Sequence, residues 1–171
     1  MVHIYCGNGK GKTTAALGLA LRAAGSGMRV HFVQLLKGGE TSELVSLAKI
    51  QTITVLRCDR DYGFTFRMND AQRAQITACH DRMLREAVRR LNAGGTDMLV
   101  LDEFFAAYNA DLLDRQAAEA LIKGFPPGKE LVLTGRDPGE GFLALADYVS
   151  EIRAVKHPYE RGITARKGIE Y

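Results

Sequence analysis

VHIYCGNGKGKTT, residues 2–14, is a short apolar run followed by a cluster of glycines and lysines. A strand, a glycine-rich turn and a Lys-Thr pair opening a helix form the arrangement in which backbone N–H groups and a helix N-terminus surround phosphate oxygens. The usual spacing, G-x-x-x-x-G-K-[ST], would place a glycine where this chain has Cys6, and the nearest earlier glycines are Gly7 and Gly9. The stretch therefore reads as a phosphate loop one residue short. Its candidate nucleotide contacts are Gly7, Asn8, Gly9, Lys10, Gly11, Lys12, Thr13 and Thr14. Lys12 supplies a point charge for the phosphates, and the Thr13 hydroxyl is a ligand for magnesium. The plainer alternative, an ordinary strand–turn–helix with solvent lysines, fits this context less well.

Working outward, further apolar runs follow: VHFVQLL (30–36), ITVL (53–56), MLVL (98–101), LVL (131–133) and YVSEI (148–152). Most are continuous rather than alternating, as expected of strands covered on both faces in a parallel sheet. Helical stretches lie between them. In 70–93, Asp70 is a candidate N-cap, Ile76, Cys79, Met83, Ala87 and Leu91 share one face, and Gly94-Gly95 ends the run. The mostly apolar 13–24 packs on the sheet and ends at Gly25-Ser26-Gly27. Strands alternating with helices give an α/β fold with a mostly parallel central sheet and helices on both faces. The expectation is a single domain over 1–171, with 156–171 as a C-terminal tail.

Charge narrows the partners little. The formal net charge is +3, from 23 basic and 20 acidic residues. No basic stripe favours nucleic acid. Cys6, Cys58 and Cys79 are odd in number and far apart, which argues against a disulfide framework or a zinc site and for a reducing cytoplasm. No apolar run approaches the length of a membrane span, and no signal-peptide pattern precedes the first strand.

Three more motifs carry chemistry. MLVLDE (98–103) ends a buried strand in Asp102 and Glu103, the acidic pair a nucleotide site needs to hold magnesium. LTGRDP (133–138) puts Arg136 beyond the carboxyl end of another strand, where ligands of open α/β sheets bind; a turn-stabilising pair with Asp137 is the equal alternative. In DYGFTFRMND (61–70), Phe64 and Phe66 are spaced i, i+2, which on an extended segment turns both to one face. Core packing competes with an exposed aromatic site there. His80 reads as structural, and His157 as a tail contact.

Taken together, GNGKGKTTAA (7–16), VQLLKG (33–38), GFTF (63–66), VLDE (100–103), LTGR (133–136) and VKHPYERGITARKGIEY (155–171) closely resemble the ATP:corrinoid adenosyltransferases of the phosphate-loop type. The resemblance covers nearly the whole chain. The shortened loop together with the KHP…KGIEY ending is its specific part. Family members commonly have Trp where Phe66 stands, and many carry an N-terminal extension over the corrinoid, whereas this sequence begins at the first strand.

The resemblance implies a RecA-like P-loop domain that uses ATP, with magnesium, and a corrinoid: cobalamin, cobinamide or a cobyrinic acid derivative. The implied reaction is attack of Co(I) on the 5′-carbon of ATP, with triphosphate expelled, giving adenosylcobalamin or its precursor. A kinase presents the γ-phosphate; this chemistry presents the ribose 5′-carbon, and the differently spaced loop is understood to hold the phosphates in the opposite sense. Lys12 then stabilises the leaving group, while Phe64 and Phe66 press on the lower face of the corrin and favour the four-coordinate metal. The resemblance also implies an electron-donating flavoprotein or reduced flavin and a homodimer. Two other functions remain open on the motifs alone: a P-loop kinase or NTPase attacked at the γ-phosphate, and a non-catalytic nucleotide-dependent binding module.

Overall fold

The computed structural model describes residues 1–39, 41–63 and 65–171. Among these described residues six strands form one sheet: β1 (Val2–Cys6), β2 (Val30–Gln34), β3 (Ile53–Arg57), β4 (Met98–Asp102), β5 (Glu130–Thr134) and β6 (Tyr148–Glu151). Their order is β3-β2-β4-β5-β1-β6, and every pairing is parallel. Among the described residues six α-helices connect them: α1 (Lys12–Gly25), α2 (Ser42–Leu47), α3 (Asp70–Asn92), α4 (Phe104–Asn109), α5 (Arg115–Lys123) and α6 (Glu140–Leu143).

The continuous apolar runs make sense once both faces are seen. On β4, Leu99 and Leu101 pack into one core with Met83, Ala87 and Leu91 of α3, while Met98 and Val100 pack into the other with Ala16, Ala20 and Ala23 of α1. Alternate residues point to opposite faces, so a strand covered on both sides has no polar beat. The alanines of α1 let that helix lie close to the sheet.

β6 departs from the expectation. All four of its residues are exposed. It is one of the two edge strands, paired among the described residues with β1 alone, so its apolar letters do not mark a covered position. The N-cap of α3 also shifts by one: Asn69 accepts from the Gln72 N–H while the Gln72 side chain accepts from the Asn69 N–H, a reciprocal capping box. The five apolar residues expected on one face of α3 are all buried.

The cysteine expectation is overturned. Cys58, just after β3, and Cys79, on α3, form a disulfide across 21 residues of chain, with their Cα atoms 6.2 Å apart. Spacing in sequence says nothing about which residues the crossover from β3 to α3 brings together, and so cysteine arithmetic loses its bearing on the compartment. Cys6 is the free, buried thiol. No helix among the described residues is long and apolar enough to cross a membrane.

Candidate active site

The phosphate loop runs from Cys6 at the end of β1 to Lys12 at the start of α1, with Gly7 and Gly11 at φ 103° and 121°, values that disfavour any side chain. Its shape is braced by the chain leaving β6. Gly9 N–H donates to Ile152 O at 2.8 Å, Ala154 N–H donates to Asn8 Oδ1 at 3.1 Å, and a Cβ on Gly7 would stand 2.5 Å from Ile152 O. Lys12 turns back onto the loop, its Nζ donating to Gly9 O at 2.9 Å. Burial, first of all, lowers its pKa; Glu103 opposes and Arg136 adds to the shift. Thr14 is exposed, and Lys10 lies 3.9 Å from Glu170 of the tail.

β1 and β4 are not neighbours; β5 lies between them. The Thr13 hydroxyl nevertheless donates to Asp102 Oδ1 at 2.9 Å. Thr134, at the end of β5, completes the cluster: its hydroxyl donates to the same oxygen at 2.7 Å and accepts from the Glu103 N–H at 2.9 Å. Asp102 is 0% exposed, and its other oxygen accepts from Lys37 Nζ at 2.8 Å. The same ammonium lies 3.2 Å from Thr13 Oγ1.

Glu103 has φ 59°, a left-handed conformation that costs a non-glycine residue about 1–3 kcal/mol. Leu36 after β2 and Asp137 after β5 share it, at φ 56° and 53°. Three strained residues therefore follow three strand ends on one rim of the sheet. The Glu103 carboxyl has its pKa raised by burial and then by Asp102, with Lys37, Lys12 and Arg136 opposing. Arg136 itself is exposed, and Asn109 donates to the Asp137 carbonyl at 3.2 Å to hold that turn.

A cavity of about 500 Å³ opens beside this cluster, lined among others by Thr13, Thr14, Lys37, Glu43, Glu170 and Tyr171. The tail closes one of its walls, with Ser42 Oγ donating to Tyr171 O at 3.0 Å. A cavity of similar size between α3 and α5, about 490 Å³, shares none of these residues.

The aromatic segment differs from its expectation in conformation. Thr65–Arg67 is a 3-10 turn rather than an extended run, so the shared direction argued from i, i+2 spacing does not apply. Phe66 is 77% exposed, which excludes the core alternative for it, and the Arg67 guanidinium lies over its ring. Phe64 lies outside the described residues. His80 is structural as expected, and fully buried. His157 caps the turn at Pro158–Arg161.

Lys37 and Thr134 join the cluster without having been expected from their sequence positions. Both stand within quoted motifs, and a lysine just past a buried strand was the only signal for the first.

A phosphate loop, a buried acid on a non-adjacent strand and an all-parallel sheet define the class: a RecA-like P-loop α/β domain. The fold agrees with that of a solved structure of EssC (ATPases 2 and 3) from Geobacillus thermodenitrificans, with TM-score 0.50 and 12% identity over 99% of this chain and 36% of that one. The family is narrower than the fold. The chain belongs to the ATP:corrinoid adenosyltransferase family BtuR/CobO/CobP, whose model matches residues 1–171. It is 35% identical to the corrinoid adenosyltransferase of Escherichia coli K12 over all of this chain and 85% of that protein. Corrinoid adenosyltransferase CobA of Salmonella typhimurium LT2 gives the same figures, and the Pseudomonas aeruginosa corrinoid adenosyltransferase is 33% identical over 98% of this chain and 82% of its own.

Proposed function

We propose that this chain transfers the 5′-deoxyadenosyl group of ATP to the Co(I) of a corrinoid and releases triphosphate. The observation that carries the proposal is family membership over residues 1–171. The cobalt electron pair forms the cobalt–carbon bond, the C5′–O bond breaks, and its electrons leave on the α-phosphate oxygen. No proton moves, so no general base is required. That agrees with a site rich in cations and hydroxyls.

The loop N–H groups and the N-terminus of α1 surround the phosphates, and Lys12 leaves Gly9 O to meet them. Its burial, and that of Glu103, keeps water from screening the charge that develops on the leaving oxygen. Arg136 adds positive charge at the same rim. Magnesium fits the cluster: Asp102 is a fully buried carboxylate already holding a cation, and Thr13, Asp102 and Glu103 offer oxygen donors only. These three would hold it, and when bound it supplies further charge to the phosphates.

The exposed ring of Phe66 supports a contact with the lower face of the corrin, and the same role for Phe64 rests on the sequence. We extend the proposal to an electron-donating flavoprotein or reduced flavin, because Co(II) must gain one electron before it can attack. A homodimer is supported by the family resemblance. A cytoplasmic location is supported by the need for both ATP and a reduced metal. The test is to mix the protein with ATP and prereduced Co(I) corrinoid. Appearance of the adenosyl-cobalt spectrum is expected; stoichiometric ADP with unchanged cobalt would overturn the reading.

A further inference from the structure

Lys37 makes the contacts that the site reading gives to a metal. Its ammonium touches Thr13 Oγ1 and Asp102 Oδ2, at 3.2 and 2.8 Å. Lys12, the lysine of the phosphate loop itself, takes no part in this, since its Nζ rests on Gly9 O. The backbone around Lys37 is held from both sides. Before it, Leu36 sits in a left-handed conformation, and its N–H donates to His80 Nε2 at 3.1 Å. The other ring nitrogen of His80 faces Leu112 O at 2.7 Å, which fixes the tautomer: Nδ1 carries the hydrogen and Nε2 accepts. After it, Gly38 packs on the chain at Arg60, where an added Cβ would collide with the carbonyl oxygen. Lys37 is thus presented by a braced segment.

Asp102 explains why such a lysine is needed. A fully buried carboxylate with no cation beside it is strongly unfavourable, and two hydroxyl donors on one oxygen do not neutralise it. From this geometry we infer that Lys37 is a resident counter-cation. It neutralises Asp102 while no nucleotide is present, and it is exchanged for the divalent metal only when ATP arrives to receive the displaced ammonium. The consequence is ordered loading. Metal alone must evict a lysine that then has no anion to meet, whereas metal with ATP leaves the ammonium beside phosphate oxygens. Lys37 therefore couples metal binding to nucleotide binding, through a single side chain and with no change of fold.

This rests on the reading that Thr13 and Asp102 hold the metal, and the experiment separates the two. Mn²⁺ binding to the nucleotide-free protein and to the protein with ATP is measured by electron paramagnetic resonance for wild type and Lys37→Met. Wild type should bind Mn²⁺ weakly without ATP, and Lys37→Met should bind it about tenfold or more tightly, with the advantage of adding ATP correspondingly reduced. Should Lys37→Met lose its fold without metal, Mn²⁺ should restore it, and Lys37→Met with Asp102→Asn should fold without any metal. Equal Mn²⁺ affinity of the two nucleotide-free proteins, with ordinary binding in the presence of ATP, would overturn the inference and leave the metal site standing. Failure of wild type to bind Mn²⁺ even with ATP would overturn both. An unfolded variant that neither Mn²⁺ nor Asp102→Asn rescues would show that Lys37 holds something other than Asp102.

Discussion

Phe66 is a large apolar side chain that is 77% exposed on a short turn, with the Arg67 guanidinium over its ring. Its proposed contact with the corrin gives a directional expectation. Phe66→Ala should slow reaction from Co(II) corrinoid far more than reaction from prereduced Co(I), because in that proposal the ring acts on the axial ligand and not on ATP. A buried Phe contact is worth roughly 1.5–3 kcal/mol, or one to two powers of ten in that equilibrium. Equal losses with Co(I) and Co(II) would remove the role.

His31, inside β2, makes a different prediction. It is 2% exposed, its Nε2 has no hydrogen-bond partner among the described residues, and its pKa is pushed down from 6.5 to about 4, first by burial and then by Arg90. The unfolded chain takes up the proton below 6.5 and the folded chain refuses it, so this contribution is full above 6.5 and is lost as pH falls toward 4. It removes about 2 kcal/mol by pH 5, with buried His80 shifted in the same direction. Urea titrations at pH 7 and pH 5 should show the loss, and His31→Phe should flatten it. An unchanged slope in the variant would contradict the assignment. At this scale Lys12, Thr13 and Asp102 were legible because spacing and strand ends mark them. Lys37 was not, because its meaning depends on a contact 65 residues away in sequence.

Elements were legible where pattern and burial agree. α3 declares itself by its apolar stripe and closing glycines, and β4 by an unbroken apolar run. β6 misled because its letters resemble those of a covered strand while its place at the sheet edge is set by topology. The same crossover geometry hid the disulfide, which ties the end of β3 to α3 across the segment that carries Phe66. Closing a loop of 21 residues should stabilise the fold by about 3 kcal/mol. Reduction of the wild type, or Cys79→Ser, should lower the unfolding free energy by about that amount and move the midpoint down with it. A midpoint indifferent to reductant would show that the bridge contributes nothing.

Across the whole molecule, one rim of the sheet collects the phosphate loop, Asp102, the strained Glu103 and Arg136, and the chain beyond β6 returns to brace that loop. Ile152 and Ala154 hold Gly9 and Asn8, and the last residues line the neighbouring cavity through Glu170 and Tyr171. The fold class was readable from alternating strands and helices. The bracing was not, since backbone contacts between distant segments leave no mark in composition or period. A loop one residue short, set in this frame, is proposed to bury the triphosphate as leaving group rather than to present its end. The most direct measurement is the phosphorus product, followed by ³¹P magnetic resonance with ATP, magnesium and a Co(I) corrinoid. One intact triphosphate for each adenosylated cobalt is expected, and ADP with orthophosphate or a phosphorylated acceptor would contradict it.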